Sequence, residues 1–241
     1  MRIAAVFRAT ISKDPQIEGS NEDTYCLRLK EDKPRAAIFD GASESFAARK
    51  WSRYLADEWG KTQTRDWSWV ERAQVRYERN ISTLQLSWAQ EAAMERGSYS
   101  TIAYVQFEEE WLYFSAVGDS NFFLLSDNEI RFSYPYVQES QFTSAPNALS
   151  SNPLDLRKNR ESLLLGLNRI RYKSLNTSRV ILATDAISAW LLNEDFQLRH
   201  ARLKSLLQCS NLEDFKTLVL QEREIHAMKI DDSTVVILEV Q

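Results

Sequence analysis

The sequence predicts an α+β protein in which runs of strands alternate with runs of helices. Short β-branched and aromatic segments, such as Arg179 to Thr184 and Thr234 to Val240, have the length and composition of buried strands. Between such segments lie stretches with apolar residues at helical spacing, and the one from Trp67 to Arg96 holds neither proline nor glycine. The order is strands, two helices, strands, helices, strand. That order suits layered sheets and helices rather than a parallel βαβ fold.

Each element has its own justification. Ile3 to Phe7 forms a first strand, and the polar stretch Thr10 to Asn21, with Pro15 and Gly19, forms a loop. Thr24 to Lys30 alternates as a half-buried strand does. Asp32-Lys33-Pro34 turns it back into Arg35 to Asp40, a link too short for anything but an antiparallel hairpin. Ser43 or Ser45 caps a helix through Trp59. Trp67 to Arg96 reads as one long helix stopped by Gly97. Strands follow at Thr101 to Phe107, Trp111 to Val117 and Phe122 to Leu125. Ser133 to Glu161, rich in Pro, Ser and Asn, reads as a surface excursion of the kind that covers a site. Gly166 to Lys173 and Arg179 to Thr184 are further strands. Helices are expected at Ala186 to Leu192, around Arg202 to Gln208 and at Leu212 to Met228, before the last strand, Thr234 to Val240. There is no internal repeat or low-complexity linker, so the expectation is one domain over residues 1–241.

Composition narrows the function. The chain has 241 residues, is 44% apolar and carries 7 Trp, 9 Tyr and 11 Phe, enough for a sizeable core. Net charge is −4 with both signs interleaved, so no basic stripe asks for nucleic acid. No apolar stretch reaches membrane-spanning length. Cys26 and Cys209 are the only cysteines and His200 and His226 the only histidines, which disfavours a disulfide framework or a histidine zinc site. The expected setting is soluble, reducing and cytoplasmic.

The main chemical clue is where the apolar runs stop. Ala36-Ala37-Ile38-Phe39 ends at Asp40-Gly41, Ser115-Ala116-Val117 at Gly118-Asp119-Ser120, and Val180-Ile181-Leu182-Ala183 at Thr184-Asp185. Asp231-Asp232 precedes Ser233-Thr234-Val235-Val236. Carboxylates repeated at strand ends gather at one rim of a sheet, where they repel one another and resist ionising. Hard divalent cations, which prefer oxygen ligands, are the simplest remedy. Taken singly, an Asp-Gly at a strand end is also ordinary turn chemistry.

With Asn21-Glu22-Asp23 added, five acidic motifs stand in order: Asn21-Glu22-Asp23, Asp40-Gly41, Gly118-Asp119-Ser120, Thr184-Asp185-Ala186 and Asp231-Asp232-Ser233-Thr234. Their order and strand contexts resemble the bacterial-type, metal-dependent protein serine/threonine phosphatases of type 2C, whose motifs run NED, DGxGG, GDSR, SDG and DNxT. The resemblance spans nearly the whole chain. It implies two packed antiparallel β-sheets flanked by helices on both sides, with two Mg²⁺ or Mn²⁺ ions at one end. By motif position it implies that Asp40 bridges both ions. The Gly41 carbonyl and Glu22 would serve the second ion, and Asp185 and Asp231 the first. Asp23 would orient water, and Asp119 would help to hold a third ion. Paired cations acidify a shared water and offset charge on the phosphate, so phosphoserine or phosphothreonine hydrolysis needs no covalent nucleophile. The implied partners are a phosphorylated protein and a cognate kinase.

Four departures from the family pattern are visible. Glu18 stands where the family carries a phosphate-binding arginine, leaving Arg8 as a substitute. DGxGG is Asp40-Gly41-Ala42-Ser43-Glu44, and SDG is Thr184-Asp185-Ala186. In DNxT the Asn position holds Asp232, so either neighbouring aspartate could be the ligand. These departures motivate an alternative function: a catalytically weak relative that binds phosphoproteins or acts as a sensor.

Overall fold

A computed structural model of the chain describes residues 3–62, 66–142, 147–155, 168–172 and 178–240. Two antiparallel sheets face each other. The first has the order β1 (Ile3–Ile11), β11 (Ser233–Val240), β10 (Arg179–Ala183), β6 (Asn121–Ser126) and β7 (Glu129–Tyr134). The second runs β2 (Thr24–Arg28), β3 (Arg35–Gly41), β4 (Tyr99–Glu108), β5 (Trp111–Val117) and β9 (Asn168–Arg171), with the short β8 (Leu149–Ser150) also on β4. The expected two-sheet α+β architecture is observed.

The period-2 alternation of the strands builds three apolar layers. On β10, Val180 and Leu182 point between the sheets, while Ile181 and Ala183 point outward. On β11, Val236 and Leu238 point between the sheets and Val235 and Ile237 outward. Ala36 and Ile38 of β3 meet them from the other sheet, leaving Ala37 and Phe39 for the far side. Helices cover both outer faces. α1 (Ala48–Lys61) and α2 (Ser68–Ile81) lay Trp51, Leu55, Val70, Ala73 and Tyr77 on the second sheet. α4 (Asp185–Leu191), α5 (Phe196–Gln208) and α6 (Leu212–Glu224) lay Ile187, Leu191, Leu203, Phe215 and Val219 on the first. No described helix is long and apolar enough to cross a membrane.

Some boundaries differ from expectation for local reasons. β1 runs on to Ile11 because Arg8 to Ile11 pair with Val236 to Ser233 of β11. α1 starts at Ala48, not at Ser43 or Ser45. Ser45 Oγ instead accepts from the Tyr99 amide at 3.1 Å and donates to the Ala42 carbonyl at 2.8 Å. The expected long helix is two, α2 and α3 (Trp88–Arg96). Ser82 and Thr83 hydroxyls bond back to the Arg79 and Asn80 carbonyls, a local alternative to helix propagation. Ser87 then opens α3 with a capping box to Gln90. Gly97 does end α3, at a φ of 90°. The anticipated excursion from Ser133 holds the end of β7, a 3₁₀ turn at Glu139–Gln141 and β8; its residues 143–146 and 156–161 lie outside the described ones.

Antiparallel pairing fixes where the acidic motifs go. Asp40 sits opposite Thr101, and Ala183 opposite both Asn121 and Val235. Ile11 sits opposite Ser233 and Thr24 opposite Phe39. The ends of β1, β3, β5 and β10 and the starts of β2, β6 and β11 therefore share one end of the sandwich.

Candidate metal centre

Asp40, the penultimate residue of β3, has its carboxyl pushed well above the ordinary carboxylate range by burial, then by Asp23, Asp185, Asp119 and Asp231. No other described residue gives that carboxylate a hydrogen bond or ion pair. Beside it, Gly41 passes so close to Glu22 that an added Cβ would lie 2.9 Å from the Glu22 carbonyl oxygen. A side chain there would push the two strands' ends apart.

Asp23 is 6% exposed and sits just ahead of β2. Its backbone amide donates to Asn21 Oδ1 at 2.9 Å, and its Oδ2 accepts from Thr184 Oγ1 at 3.1 Å. Its Oδ1 is buried and has no hydrogen-bond partner among the described residues. Burial, and next the charge on Asp232, raise its carboxyl well above the usual range, against the opposing hydroxyls of Thr234 and Thr184. Asp119 follows Gly118, whose φ of 99° admits few other residues and whose Cβ position is filled by Thr101 and the Asn147 carbonyl. Burial, then Asp185, push the Asp119 carboxyl up to about 7.

Asp185 opens α4. Its Oδ1 accepts from the Ala186 amide at 2.6 Å and its Oδ2 from Lys229 Nζ at 2.8 Å. Burial outweighs that ammonium and leaves the carboxyl raised. Lys229 Nζ also lies 2.7 Å from Asp231 Oδ2. Burial works against the lysine's charge, but Asp185 and Asp231 prevail and hold the ammonium above its ordinary range. A second lysine serves the loop before β2: Lys13 Nζ is 3.0 Å from Glu22 Oε2 and 2.5 Å from Ser43 Oγ.

The neighbouring aspartates Asp231 and Asp232 have separate tasks. Asp232 is 3% exposed, and its two oxygens accept the Lys13 amide at 2.7 Å and the Glu22 amide at 2.6 Å. It ties the loop after β1 to the start of β11. Asp231 instead turns its Oδ2 to Lys229 at the rim. Arg223, from α6, fixes this turn by donating to the carbonyls of Asp231 and Ser12 and to Ser233 Oγ.

The rim thus gathers Asp23, Asp40, Asp119, Asp185 and Asp231, with Glu22 alongside. Arg8 is exposed on β1 with its guanidinium 5.8 Å from the Tyr25 ring centroid. Glu18 is exposed on the same loop as Glu22. Lys13 and Lys229 were missed by sequence reasoning. Their signal was slight: a lysine two residues before Asp231, and another at the strand–loop junction preceding Glu22. Among the described residues, no three His, Cys, Asp or Glu side chains already stand at metal-ligand spacing. In chemical type, the donors suit a hard cation: all are oxygens, several are buried and mutually repelling, and Asp23 Oδ1 has an unmet acceptor.

No protein-family model and no curated relative matches the sequence. Solved structures do resemble the chain. The photosystem II phosphatase PBCP is 15% identical with a TM-score of 0.59, covering 99% of each chain. The serine/threonine phosphatase Stp1 from Staphylococcus aureus is 13% identical with a TM-score of 0.61, covering 100% of this chain and 98% of that one. The catalytic domain of serine/threonine protein phosphatase PstP, solved with two manganese ions, is 16% identical with a TM-score of 0.58, covering 99% and 97%. The two facing sheets, the helices on both outer faces and these full-length matches together identify the fold of the bacterial-type serine/threonine phosphatases of type 2C.

Proposed function

We propose that the chain is a one-domain, metal-dependent phosphoprotein phosphatase acting on phosphoserine or phosphothreonine in the cytoplasm, opposite a serine/threonine kinase. The observation that carries this reading is the convergence of buried aspartates from distant strands on one rim, with a buried acceptor, Asp23 Oδ1, left without a partner among the described residues. Such a cluster costs stability unless a cation completes it. Asp40, the Gly41 carbonyl and Glu22 would be the donors for one Mg²⁺ or Mn²⁺ ion. Asp40, Asp185 and Asp231 would serve the other, and Asp119 a third. Two such ions, when bound, supply an acidified water and offset charge on the phosphate. The chain's own part is to hold these oxygens on rigid strand ends. Asp23 sits buried among them, where it can hold a water or a proton.

The test is hydrolysis of p-nitrophenyl phosphate and of a phosphothreonine peptide with Mn²⁺ and with EDTA. Turnover should require the metal, and Asp40→Asn should remove most of it while leaving the circular dichroism spectrum intact. Equal turnover by Asp40→Asn and the parent overturns the assignment.

A second reading is a phosphoprotein-binding or sensor module with little turnover. It is favoured by Glu18 at the arginine position and by the two lysines already paired with rim carboxylates. Binding of Mn²⁺ and phosphopeptide without hydrolysis would select it.

A further inference from the structure

The two lysines at the rim are not ordinary surface ion pairs. Lys229 Nζ reaches two carboxylates from separate elements, Asp185 at the start of α4 and Asp231 ahead of β11, at 2.8 and 2.7 Å. Its backbone is held on both sides, by buried Met228 and by the Arg223 grip on the Asp231 carbonyl. The side chain itself is 60% exposed, so it has an open route to solvent. An ammonium and a divalent cation satisfy the same oxygens but at different distances. Nitrogen–oxygen separations of 2.7 and 2.8 Å exceed the about 2.1 Å of a magnesium–oxygen bond. A divalent cation at this position must therefore draw the two carboxylates in closer than the ammonium does.

We propose that Lys229 is a resident counter-ion that competes with a divalent cation for Asp185 and Asp231. The charge of this one pair is thereby partly offset in the metal-free protein, and a cation enters that position only by displacing the ammonium. Lys13 plays a lesser, parallel part at Glu22, where one carboxylate rather than two is engaged. The consequence is graded metal occupancy: the position served by Asp185 and Asp231 fills only when the cation is abundant. The inference rests on the metal-dependent reading above and adds to it a built-in brake.

Calorimetric titration with Mn²⁺ in phosphate-free buffer, on the full chain, tests it. Lys229→Met should bind Mn²⁺ at least about tenfold more tightly than the parent, the scale on which groups adjoining a metal ligand alter affinity. Its melting temperature should fall in EDTA and recover with Mn²⁺, because the two carboxylates then face each other uncompensated. Lys229→Arg, which keeps the charge, should behave as the parent, and Lys229→Gln provides the neutral variant if Met is not tolerated. Equal affinity in parent and neutral variants, or tight binding by Lys229→Arg, overturns the counter-ion role while the metal reading stands. Failure of every form to bind Mn²⁺ at millimolar concentration overturns both.

Discussion

The space between the sheets and the rim at their end are built from the same strands but obey opposite accounts. Between the sheets Phe114, Phe122, Phe132 and Tyr134 pack tilted or edge to face, with centroids 4.3 to 6.3 Å apart. Val180, Leu182, Val236 and Leu238 are fully buried beside them. There each group gains by being covered. A few residues further along the same strands, Asp23, Asp40, Asp119 and Asp185 are covered at a cost, and all have carboxyls driven upward by burial. The interior stabilises the fold, and the rim draws on that stability to keep charged oxygens in place. Such a trade is expected where function needs a destabilised site.

Truncation in the interior should have the largest effect. Phe122 is fully buried, and Phe122→Ala should cost about 3–5 kcal/mol through lost transfer energy and the cavity left behind. Urea unfolding would read this as a lower midpoint. A loss under 1 kcal/mol would mean that the two sheets do not share this core.

Next comes a rim residue whose work is structural. Asp232→Ala removes the acceptor for two backbone amides, Lys13 and Glu22, and should cost about 2 kcal/mol. Hydrogen exchange should show those two amides losing protection. Asp231→Ala, one position away, should leave them protected because its carboxylate faces Lys229 instead. Equal exchange in the two variants would erase the division of labour between these neighbours.

The third change should reverse the sign. Asp23→Asn exchanges a buried, partly unpartnered carboxylate for a neutral amide that can donate toward the surrounding acids. In EDTA it should stabilise the protein by about 1 kcal/mol. A destabilised variant would show that the Asp23 charge is already compensated, which would undercut the contrast between core and rim.

These contrasts bear on what the sequence could reveal. The sheets were legible because β10 and β11 alternate sides without a polar interruption, and because each of the acidic motifs stands at a strand end that antiparallel pairing must carry to one side. The break after α2 was hidden by a helical period that continues past it. Ile81 is buried, but Leu84 is 42% and Trp88 83% exposed, so the apolar positions there face nothing. The capping signal Ser87-Trp88-Ala89-Gln90 was present in the letters and outweighed by periodicity. β7 was passed over although Ile130 and Phe132 alternate with charged residues, because a turn-rich flank surrounds them. Asp231 and Asp232 could not be told apart in one dimension, since what separates them is the backbone amides of a loop more than 200 residues earlier. Lys13 and Lys229 were invisible for a related reason: where a long flexible side chain places its charge is set by the fold around it.

The smallest expected effect marks the outer limit of the comparison. Lys33 and Glu108 form an ion pair at 2.9 Å, with the lysine side chain 55% exposed and the glutamate 20%. It lies on the hairpin turn before β3, at the opposite end of the sheet from the rim. Its geometry is as good as that of Lys229 with Asp185, at 2.8 Å. Yet water screens it, and holding two long side chains together costs entropy. Lys33→Ala should therefore change stability by no more than about 0.5 kcal/mol. Measured beside Lys229→Met in EDTA, it tests whether surroundings rather than distance set the worth of a lysine–carboxylate pair. Glu108 keeps the hydrogen bond from the Gln106 side-chain amide when its lysine goes. Asp185 and Asp231 share one lysine and face each other once it goes, so similar losses in the two variants would leave the rim no different from ordinary surface.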